Sequence, residues 1–265
     1  MLSPVTAAQA ISIAVRDLHF TYGGAEVLHG LTFDVKRGEV TGLLGPNGAG
    51  KSTTLRILIG ILEASSGQVD VEGLALPEKA YDVKQRIGYV PEAAELYETL
   101  SALEFLQLCG RLHDLSESVI ARRIEALLGG FGLFDERRQR LNTYSKGMRQ
   151  KVLLASALLH NPSIVVLDEP LSGLDADAAV LVKRLLSALA AESKTVLYSS
   201  HVLEVVERVC ARVLILDHGT LMADGSPSEL MTSRHEHTLE DVFRQVTQAD
   251  DVEPRLRMLL DGLRT

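Results

Sequence analysis

Residues 45–52 have the composition and spacing of a loop that binds phosphate. They read Gly-Pro-Asn-Gly-Ala-Gly-Lys-Ser and fit the pattern G-x-x-x-x-G-K-[ST], between an apolar run at 40–44 and a helical pattern at 53–62. Glycines let the backbone wrap around phosphate oxygens, and the amides and the helix N-terminus add positive potential. In such a loop Lys51 neutralises the outer phosphates and Ser52 holds Mg²⁺. The matching strand and helix weigh against the alternative, an incidental glycine-rich turn.

This loop predicts that the chain binds a nucleotide. Contacts with the nucleotide are expected from nine consecutive residues: Gly45, Pro46, Asn47, Gly48, Ala49, Gly50, Lys51, Ser52 and Thr53. Because kinases, motor proteins and small GTPases share such a loop, it does not decide the reaction.

Two acidic residues follow a short run of four apolar residues. Positions 164–167 read Ile-Val-Val-Leu, and Asp168 and Glu169 come directly after them. A parallel strand covered on both faces has this uniformly apolar sequence, and ligands bind beyond the carboxyl ends of such strands. One carboxylate can hold Mg²⁺, and the second can orient and deprotonate the attacking water. We therefore assign Asp168 to the metal and Glu169 to the base, the alternative being a solvated acidic loop.

A histidine follows another strand-like run. His201 comes after the run at 195–199, so we expect it at the same edge of the sheet, where a neutral imidazole can contact the γ-phosphate. A histidine taken alone is more often structural. Its predicted role therefore depends on the phosphate loop and the carboxylates.

The elements that must position these residues alternate between strand-like and helical patterns. Short apolar, β-branched runs occur at 11–15, 40–44, 68–71, 164–167, 195–199 and 213–216. This alternation predicts an α/β fold in which the run at 164–167 is a central strand. Between about 102 and 159 the strand signals disappear and apolar residues recur at helical spacing, as at Ile120, Ile124 and Leu127. We interpret this segment as a helical lobe inserted into the α/β core.

Composition and charge narrow the class of protein. A chain of 265 residues that is 46% hydrophobic can bury a substantial core, and its formal net charge of −8 is a poor match to DNA or RNA as main partner. Cys109 and Cys210 stand in no metal or redox spacing, which suits a reducing cytosol. No segment approaches the roughly 20 uncharged apolar residues that span a bilayer, and residues 1–10 lack a secretory pattern. Any membrane role is therefore expected to be peripheral.

Two further segments give the chain a family resemblance. Residues 144–150 read Tyr-Ser-Lys-Gly-Met-Arg-Gln, and residues 171–175, directly after the acidic pair, read Leu-Ser-Gly-Leu-Asp. With the phosphate loop they resemble the ATP-binding cassette (ABC) ATPases, in which the first segment is the signature motif and the second the D-loop. The family's order of phosphate loop, Q-loop, signature, Walker B carboxylates, D-loop and switch histidine has counterparts here.

The resemblance implies a phosphate-loop NTPase core with a mixed sheet, an N-terminal antiparallel β part and the inserted helical lobe. It also implies a head-to-tail dimer in which each ATP lies between the phosphate loop of one chain and the signature motif of the other. Ser145 and Gly147 would then approach the partner's γ-phosphate, and Ser145 can also cap the helix that follows it. Asp175 would contact the partner's phosphate loop. Tyr22 would stack on adenine, unless it is simply a half-buried strand residue.

The motifs depart from the usual family pattern in two places. The family's signature begins Leu-Ser-Gly-Gly-Gln, whereas Tyr144, Lys146 and Met148 replace three of those positions here. The Q-loop normally carries Gln, but Glu92 stands there, so its contact with the metal would be anionic. These departures and the segment Thr-Leu-Glu-Asp-Val-Phe at 238–243 resemble the branch that serves drug-, ion- and polysaccharide-type exporters. The resemblance therefore favours export over import.

The resemblance also gives the domain organisation. An ABC ATPase domain is expected at 11–245, with the α/β core at about 11–98 and 160–245 and the helical lobe at about 99–159. A C-terminal tail helix is expected at 246–265. We expect the leucine face of that helix, which is formed by Leu256, Leu259, Leu260 and Leu263, to dock on its own domain rather than on a partner.

The implied partners are transmembrane permease subunits and a second ATPase chain, either a copy of this one or a paralogue, with no nucleic acid. The chain is then expected in the cytoplasm, peripheral on the inner face of the cell membrane. In the family a groove between the lobes receives a short helix of the permease. We expect apolar residues near 95–105 to line this groove, the alternative being that they pack internally.

Other classes of protein fit the sequence less well. A soluble ATPase that acts on DNA would insert long coiled coils, and no such heptads occur. A translation-factor ATPase of the superfamily would carry two phosphate loops rather than one. A phosphate-loop kinase would not need the signature and D-loop segments. A soluble ATPase scaffold for iron–sulfur assembly fits the length and is kept as the alternative.

Overall fold

The computed structural model describes residues 10–93, 96–248 and 253–263. The strands of this part of the chain are β1 (Ile11–Tyr22), β2 (Ala25–Lys36), β3 (Val40–Leu44), β4 (Ser66–Val71), β5 (Leu74–Leu76), β6 (Ile87–Val90), β7 (Ile164–Asp168), β8 (Thr195–Ser199), β9 (Arg212–Asp217) and β10 (Thr220–Gly225). Its α-helices are α1 (Lys51–Leu58), α2 (Ala80–Arg86), α3 (Ala102–Leu112), α4 (Glu117–Gly130), α5 (Lys146–Leu159), α6 (Ala176–Ala191), α7 (Leu203–Val209), α8 (Pro227–Arg234), α9 (Leu239–Val246) and α10 (Glu253–Gly262).

A six-stranded mixed sheet forms the centre of the fold. Its order is β10-β9-β3-β8-β7-β6, and every neighbouring pair is parallel except β10 with β9. Strands β3, β7 and β8 are buried at every position, as expected of parallel strands covered on both faces. The α/β prediction is therefore confirmed. Strand β7 is an interior strand, but it lies second from the edge of the sheet rather than in the middle. An apolar sequence indicates that both faces of a strand are covered, but it does not indicate the position of the strand in the sheet.

A second, antiparallel sheet lies on one face of the first. Its order is β2-β1-β4-β5, and its apolar side chains share a buried cluster with α1 and with one face of the six-stranded sheet. The N-terminal antiparallel part implied by the family resemblance is confirmed. The apolar runs in the sequence did not predict strands β2, β5, β6 or β10. Strand β2 alternates between buried and exposed residues, and β5 and β6 have only 3 and 4 residues, so none of them forms a long apolar run.

Helices α3, α4 and α5 occupy the segment where strand signals are absent. They pack on one another, and their buried side chains belong to the same apolar cluster as the other face of the six-stranded sheet. The helix after the phosphate loop ends at Leu58, four residues before the expected end, and Gly60 follows with a φ of 69°. A residue with positive φ cannot continue a right-handed helix. The helical insertion thus shares one core with the sheet.

Gly88 permits the close contact between β6 and α5. A Cβ atom at this position would collide with the carbonyl oxygen of Ala157 on α5, and both backbones are fixed by their own elements. We expect Gly88→Ala to lower the free energy of unfolding by about 1–3 kcal/mol, the usual effect of overpacking a rigid site. The midpoint of urea unfolding measures this change. Gly129→Ala on α4, where a Cβ would meet open space, should be neutral or slightly stabilising. Equal midpoints for both variants would contradict the steric argument.

Two sequence expectations for the surface differ from the structure. Near 95–105, the apolar side chains of Leu96, Ala102 and Phe105 are buried in the core, so they pack internally. Residue 95 lies outside the described residues, and Tyr97 is 66% exposed. The expected docking of the tail helix on its own domain is also wrong, because Leu256, Leu259, Leu260 and Leu263 are 45–83% exposed. An amphipathic pattern specifies which face is apolar but not what covers it.

A stacked pair of histidines lies where α3 meets α5. The rings of His113 and His160 are parallel, with centroids 3.7 Å apart, and both ring nitrogens of His160 are shielded from solvent. Burial lowers the pKa of His160 to about 4, and the nearby charges of His113, Arg123 and Lys194 act in the same direction. Burial also lowers the pKa of His113. The pair is therefore neutral in the folded protein near neutral pH.

This pair predicts a loss of stability in acid. The ordinary pKa of histidine is 6.5, so between pH 6.5 and about 4 the unfolded chain binds a proton at His160 that the folded chain does not. The free energy of unfolding should therefore fall as pH falls through this window, and it should fall less in His160→Gln. Urea unfolding at several pH values measures both slopes. His237→Gln, which changes an exposed histidine, should follow the wild type. Parallel slopes in all three proteins would refute the assignment to His160.

Candidate functional site

The phosphate loop joins the end of β3 to the start of α1. Gly48 and Gly50 have φ values of 81° and 97°, a backbone conformation that glycine adopts without strain. Gly50 is the N-cap of α1 and has no side chain to accept a hydrogen bond. No capping side chain therefore occupies the first amides of the helix, and they can bind phosphate. The amide of Gly219, in the turn between β9 and β10, donates to the carbonyl of Ala49 at 3.2 Å. The β9–β10 turn therefore stabilises the phosphate loop in addition to the loop's own turns.

Lys51 reaches back across the loop that precedes it. Its Nζ donates to the carbonyl of Gly45 at 2.7 Å and to that of Pro46 at 3.1 Å. Burial lowers the pKa of Lys51 below its ordinary value of 10.5, whereas the charges of Glu169, Asp168 and Glu92 act to raise it. The ammonium group is thus held at the loop, partly desolvated, where its electrostatic attraction for phosphate is stronger than in bulk water.

A cavity of about 270 Å³ brings the separate sequence motifs together. It is lined by Val27, Asn47, Gly48, Ala49, Gly50, Lys51, Ser52, Thr53, Glu92, Asp168, Glu169 and His201. The lining comes from the phosphate loop, the segment after β6, and the ends of β7 and β8. These strand ends lie at one edge of the sheet, as parallel pairing requires. Cationic and anionic groups therefore face one another across a space that a nucleotide's phosphates can enter.

The two acidic residues at the end of β7 have different surroundings. Asp168 is buried, and the hydroxyl of Ser199 on β8 donates a hydrogen bond to its Oδ1. Glu169 has a φ of 50°, a strained conformation for a residue with a side chain. Its amide donates to the carbonyl and hydroxyl of Ser199, at 3.2 and 3.3 Å. The strained residue is therefore fixed from the neighbouring strand.

Glu169 and His201 form a pair at the mouth of the cavity. The Nδ1 of His201 lies 2.9 Å from Oε2 of Glu169, and the imidazole is mostly exposed. Burial raises the pKa of Glu169, while the interaction with His201 acts to lower it. A raised carboxylate pKa makes the group a better proton acceptor, and the histidine fixes its orientation. The arrangement can position a water molecule and accept its proton.

The oxygen donors in the cavity fit Mg²⁺ in a nucleotide complex. Mg²⁺ is usually held by one or two protein oxygens together with phosphate oxygens and water. The cavity offers the Ser52 hydroxyl and the Asp168 carboxylate, with Glu92 also in its lining. Across the described ranges, no three His, Cys, Asp or Glu side chains are grouped so that they could hold a metal by themselves. The donor set therefore suits an ion that arrives with phosphate.

Six expected site residues are not in the lining of this cavity. Two of them, Gly45 and Pro46, belong to the phosphate loop itself, where their carbonyls accept from Lys51, and the other four lie elsewhere. Ser145 is the N-cap of α5, and its hydroxyl accepts from the amide of Met148 at 3.2 Å, as expected of a capping serine. Gly147 lies in the first turn of α5. Asp175 caps α6 in the same way, and its Oδ1 accepts from the Ala178 amide at 2.8 Å. Tyr22 is at the end of β1, 47% exposed and edge-on to a neighbouring phenylalanine. Within one chain, Ser145, Gly147 and Asp175 therefore do not contribute to the lining of the cavity.

Sequence reasoning missed two residues of the site. Val27 lines the cavity from β2, a strand that the sequence runs did not mark. Ser199 is hydrogen-bonded to both acidic residues. In the sequence it was noted only as the last residue of a strand-like run. A polar residue at the carboxyl end of a buried parallel strand is the signal that could have found it.

The chain has measurable similarity to known proteins. The family profile described as "ABC transporter" matches residues 28–172. The Nod factor export ATP-binding protein I from Cupriavidus pinatubonensis is 38% identical over 231 residues, which are 87% of this chain and 71% of that protein.

Solved structures agree with the sequence match. One described as an ATP-binding subunit of an ABC transporter has a TM-score of 0.84 and 33% identity, covering 89% of this chain and 99% of that one. The structure of cbiO1 from Clostridium perfringens, described as part of the ABC transporter complex cbiONQ, has a TM-score of 0.74 and 26% identity. It covers 96% of this chain and 100% of that one.

The fold and the cavity define a phosphate-loop ATPase. Its loop for phosphate, its paired carboxylates and its histidine meet at one edge of a mostly parallel sheet. The profile match and the relatives then settle the family. This chain belongs to the ABC transporter family, as an ATP-binding subunit with ATPase activity.

Proposed function

We propose that the chain binds ATP with Mg²⁺ and hydrolyses it in a head-to-tail dimer, which powers export by separate transmembrane permease subunits. The observation that carries this proposal is the cavity that joins the phosphate loop to Glu169 and His201. The exposed signature residues outside that cavity complete the site only if a second chain supplies them. Export rests on the name of the Nod factor export relative and on the resemblance of the motifs.

Each proposed role follows from the geometry of the cavity. Lys51 and the loop amides bind the outer phosphates, and Ser52 and Asp168 hold Mg²⁺, with Glu92 beside them. Mg²⁺, when bound, neutralises charge on the phosphates. Glu169 accepts a proton from the attacking water, and His201 orients Glu169 and faces the γ-phosphate. Because phosphoryl transfer needs mainly positioning and charge stabilisation, these groups supply one chain's share of the hydrolytic site.

The dimer accounts for the signature and D-loop residues that lie outside the cavity. Ser145 and Gly147 are at the N-terminus of α5, where the helix dipole favours an anion, and neither lines the cavity beside their own phosphate loop. In the dimer they contact the partner's γ-phosphate, which ADP lacks. Asp175 at the start of α6 contacts the partner's phosphate loop. Dimer closure therefore depends on ATP.

The permease docks at an apolar groove between the sheet and the helical insertion. This groove, of about 290 Å³, is lined by residues of the α1 end, β6, α3 and α5, including Ile61, Tyr89, Leu112 and His113. Ile61 and Leu112 expose most of their side chains to solvent. Tyr89 lies three residues before Glu92, so the groove is connected to the cavity through a short segment. Among the described residues no helix is long and apolar enough to cross a membrane.

Tyr22 is proposed to stack on the adenine ring. We expect Tyr22→Ala to weaken ATP binding by about fivefold or more, since stacking of an aromatic ring on a base contributes about 1–3 kcal/mol. Tyr22→Phe keeps the ring and should bind as the wild type does. Calorimetric titration with ATP measures both variants. Tyr81→Ala, which removes another exposed tyrosine, is the control. Equal affinities in all variants would exclude the stacking role.

Copurification tests the transport function. The Glu169→Gln variant, tagged and extracted from native membranes in mild detergent with Mg-ATP, should retain its permease, because it binds ATP without hydrolysing it. Mass spectrometry should then identify a multi-span membrane protein that is enriched over a Lys51→Ala control. If only soluble partners copurify and the tagged chain is absent from membranes, the chain is a soluble ATPase such as an iron–sulfur assembly scaffold.

A further inference from the structure

The first two turns of α5 are joined to the loop at 169–175 by four contacts. The pairs are Lys146 Nζ with Ser172 Oγ at 2.9 Å, Gln150 Nε2 with the Pro170 carbonyl at 3.1 Å, Lys151 Nζ with Asp175 Oδ2 at 3.6 Å, and Gly147 against the Gly173 carbonyl. The loop begins at the proposed base, Glu169, and ends at the cap of α6. The helix that carries the signature motif and the loop that carries the base are therefore connected within one chain.

Lys146 makes the contact nearest to the helix N-terminus. Its aliphatic stem lies across Gly173, where a Cβ atom would come within 2.8 Å of the Lys146 side-chain carbons. Gly173 also has a φ of 77°, a conformation that favours glycine, and a side chain there would displace the stem of Lys146. The stem is thus held in place, and its ammonium group is directed at Ser172.

A second hydrogen bond continues from Ser172 to Glu169. The amide of Ser172 donates to the carbonyl of Glu169 at 3.1 Å, closing the turn in which Glu169 has its strained φ of 50°. Two hydrogen bonds therefore lead from the Lys146 ammonium to the backbone of the base. Because a strained residue persists only when its surroundings hold it, contacts that fix this turn also fix the direction of the Glu169 carboxylate.

We propose that Lys146 is a positioning residue that couples the signature end of α5 to Glu169 of the same chain. The inference rests on the proposed head-to-tail dimer, in which this end of α5 meets the partner's ATP. When Ser145 and Gly147 engage that ATP, Lys146 and Ser172 transmit the position of the helix to the turn at Glu169. The base then acts on the chain's own ATP once the neighbouring site is filled.

Removal of the ammonium group tests this coupling. Lys146→Met keeps most of the stem, and we expect it to lower kcat by about tenfold, as for a misplacement of a fraction of an ångström. Ser172→Ala should lower kcat to a similar extent, and the double variant should be no slower than either single variant. Lys146→Arg, which keeps a donor, should recover most of the activity. Lys183→Met on α6 is the control and should match the wild type.

Dimerisation separates this inference from the function on which it rests. ATP-dependent dimerisation is measured in the Glu169→Gln background by size-exclusion chromatography with light scattering. We expect Lys146→Met to leave the ATP concentration for half-maximal dimerisation unchanged, and also the midpoint of urea unfolding, because an exposed hydrogen bond adds little stability. A wild-type kcat, failure of arginine to restore activity, or weakened dimerisation would overturn the coupling role. If the parent Glu169→Gln protein forms no dimer with ATP, the proposed function itself fails.

Discussion

Replacement of Glu169 by Gln should reduce ATP turnover by about 10²–10⁴-fold, the contribution of a positioned general base. The amide has nearly the size and shape of the carboxylate, and its oxygen can still face Nδ1 of His201, which lies 2.9 Å from Oε2 of Glu169. It cannot accept a proton from water. Binding of ATP should therefore persist while hydrolysis stops. Phosphate release under saturating Mg-ATP measures kcat, and calorimetric titration measures the affinity.

The matched control for this variant is Glu125→Gln. Glu125 is an exposed residue of α4, so its replacement changes the net charge in the same way without touching the cavity. It should hydrolyse ATP at the wild-type rate. If Glu169→Gln retained full turnover, the base would be another group, and the assignment of roles at the end of β7 would have to be abandoned.

The second large effect is expected for Lys51→Ala, which should weaken ATP binding by about 100-fold. Hydrogen bonds to charged groups contribute about 1.5–3 kcal/mol each, and Lys51 is the ammonium group that the phosphate loop holds. Its neighbours Glu169, Asp168 and Glu92 repel phosphate once the cation is removed. Titration calorimetry with ATP measures the change in Kd.

A comparison of nucleotides locates the effect at the outer phosphates. AMP lacks them, so its weak binding should change much less than that of ATP between Lys51→Ala and the wild type. Lys183→Ala, on α6, removes a lysine outside the cavity and should leave both affinities unchanged. An equal loss for AMP and ATP would mean that the substitution has distorted the loop and that Lys51 does not act on the outer phosphates.

Together the two variants divide the reaction into binding and hydrolysis. Lys51→Ala should fail at the first step, and Glu169→Gln at the second. This division also underlies the copurification experiment, which compares a variant that keeps ATP bound with one whose affinity for ATP is strongly reduced. The expected partner of the apolar groove at Ile61 and Leu112 should be enriched with the Glu169→Gln variant over the Lys51→Ala variant.

The site could be predicted largely from the sequence because its parts are local. A phosphate loop consists of consecutive residues, and its conformation depends on Gly48 and Gly50 in that same segment. Asp168 and Glu169 follow an apolar run whose burial on both faces is evident from composition. Parallel strands end at the same edge of their sheet, so the meeting of the loop, the carboxylates and His201 could also be expected.

Other features depend on contacts between distant segments and could not be predicted in this way. Ser199 is ordinary in sequence, and its role appears only because β8 pairs with β7 and places the hydroxyl beside Asp168. The contact of Lys146 with Ser172 joins residues 26 positions apart. Ser199 belongs to no motif, and the two motifs that contain Lys146 and Ser172 do not indicate that these side chains meet. Their importance comes from register and packing, which a one-dimensional pattern does not contain.

The sequence by itself determined the fold class, the phosphate loop, the acidic pair and the resemblance to ABC ATPases, since each depends on residue type at short spacing. Only the tertiary structure decided which apolar surfaces are covered. It buried Phe105, which was expected to line the permease groove, and left Leu259 of the tail helix exposed. The hydrophobic effect has no direction and depends mainly on the apolar area removed from water, so amphipathic spacing identifies only the surface to be buried. The partner for that surface is selected by the packing of the whole chain.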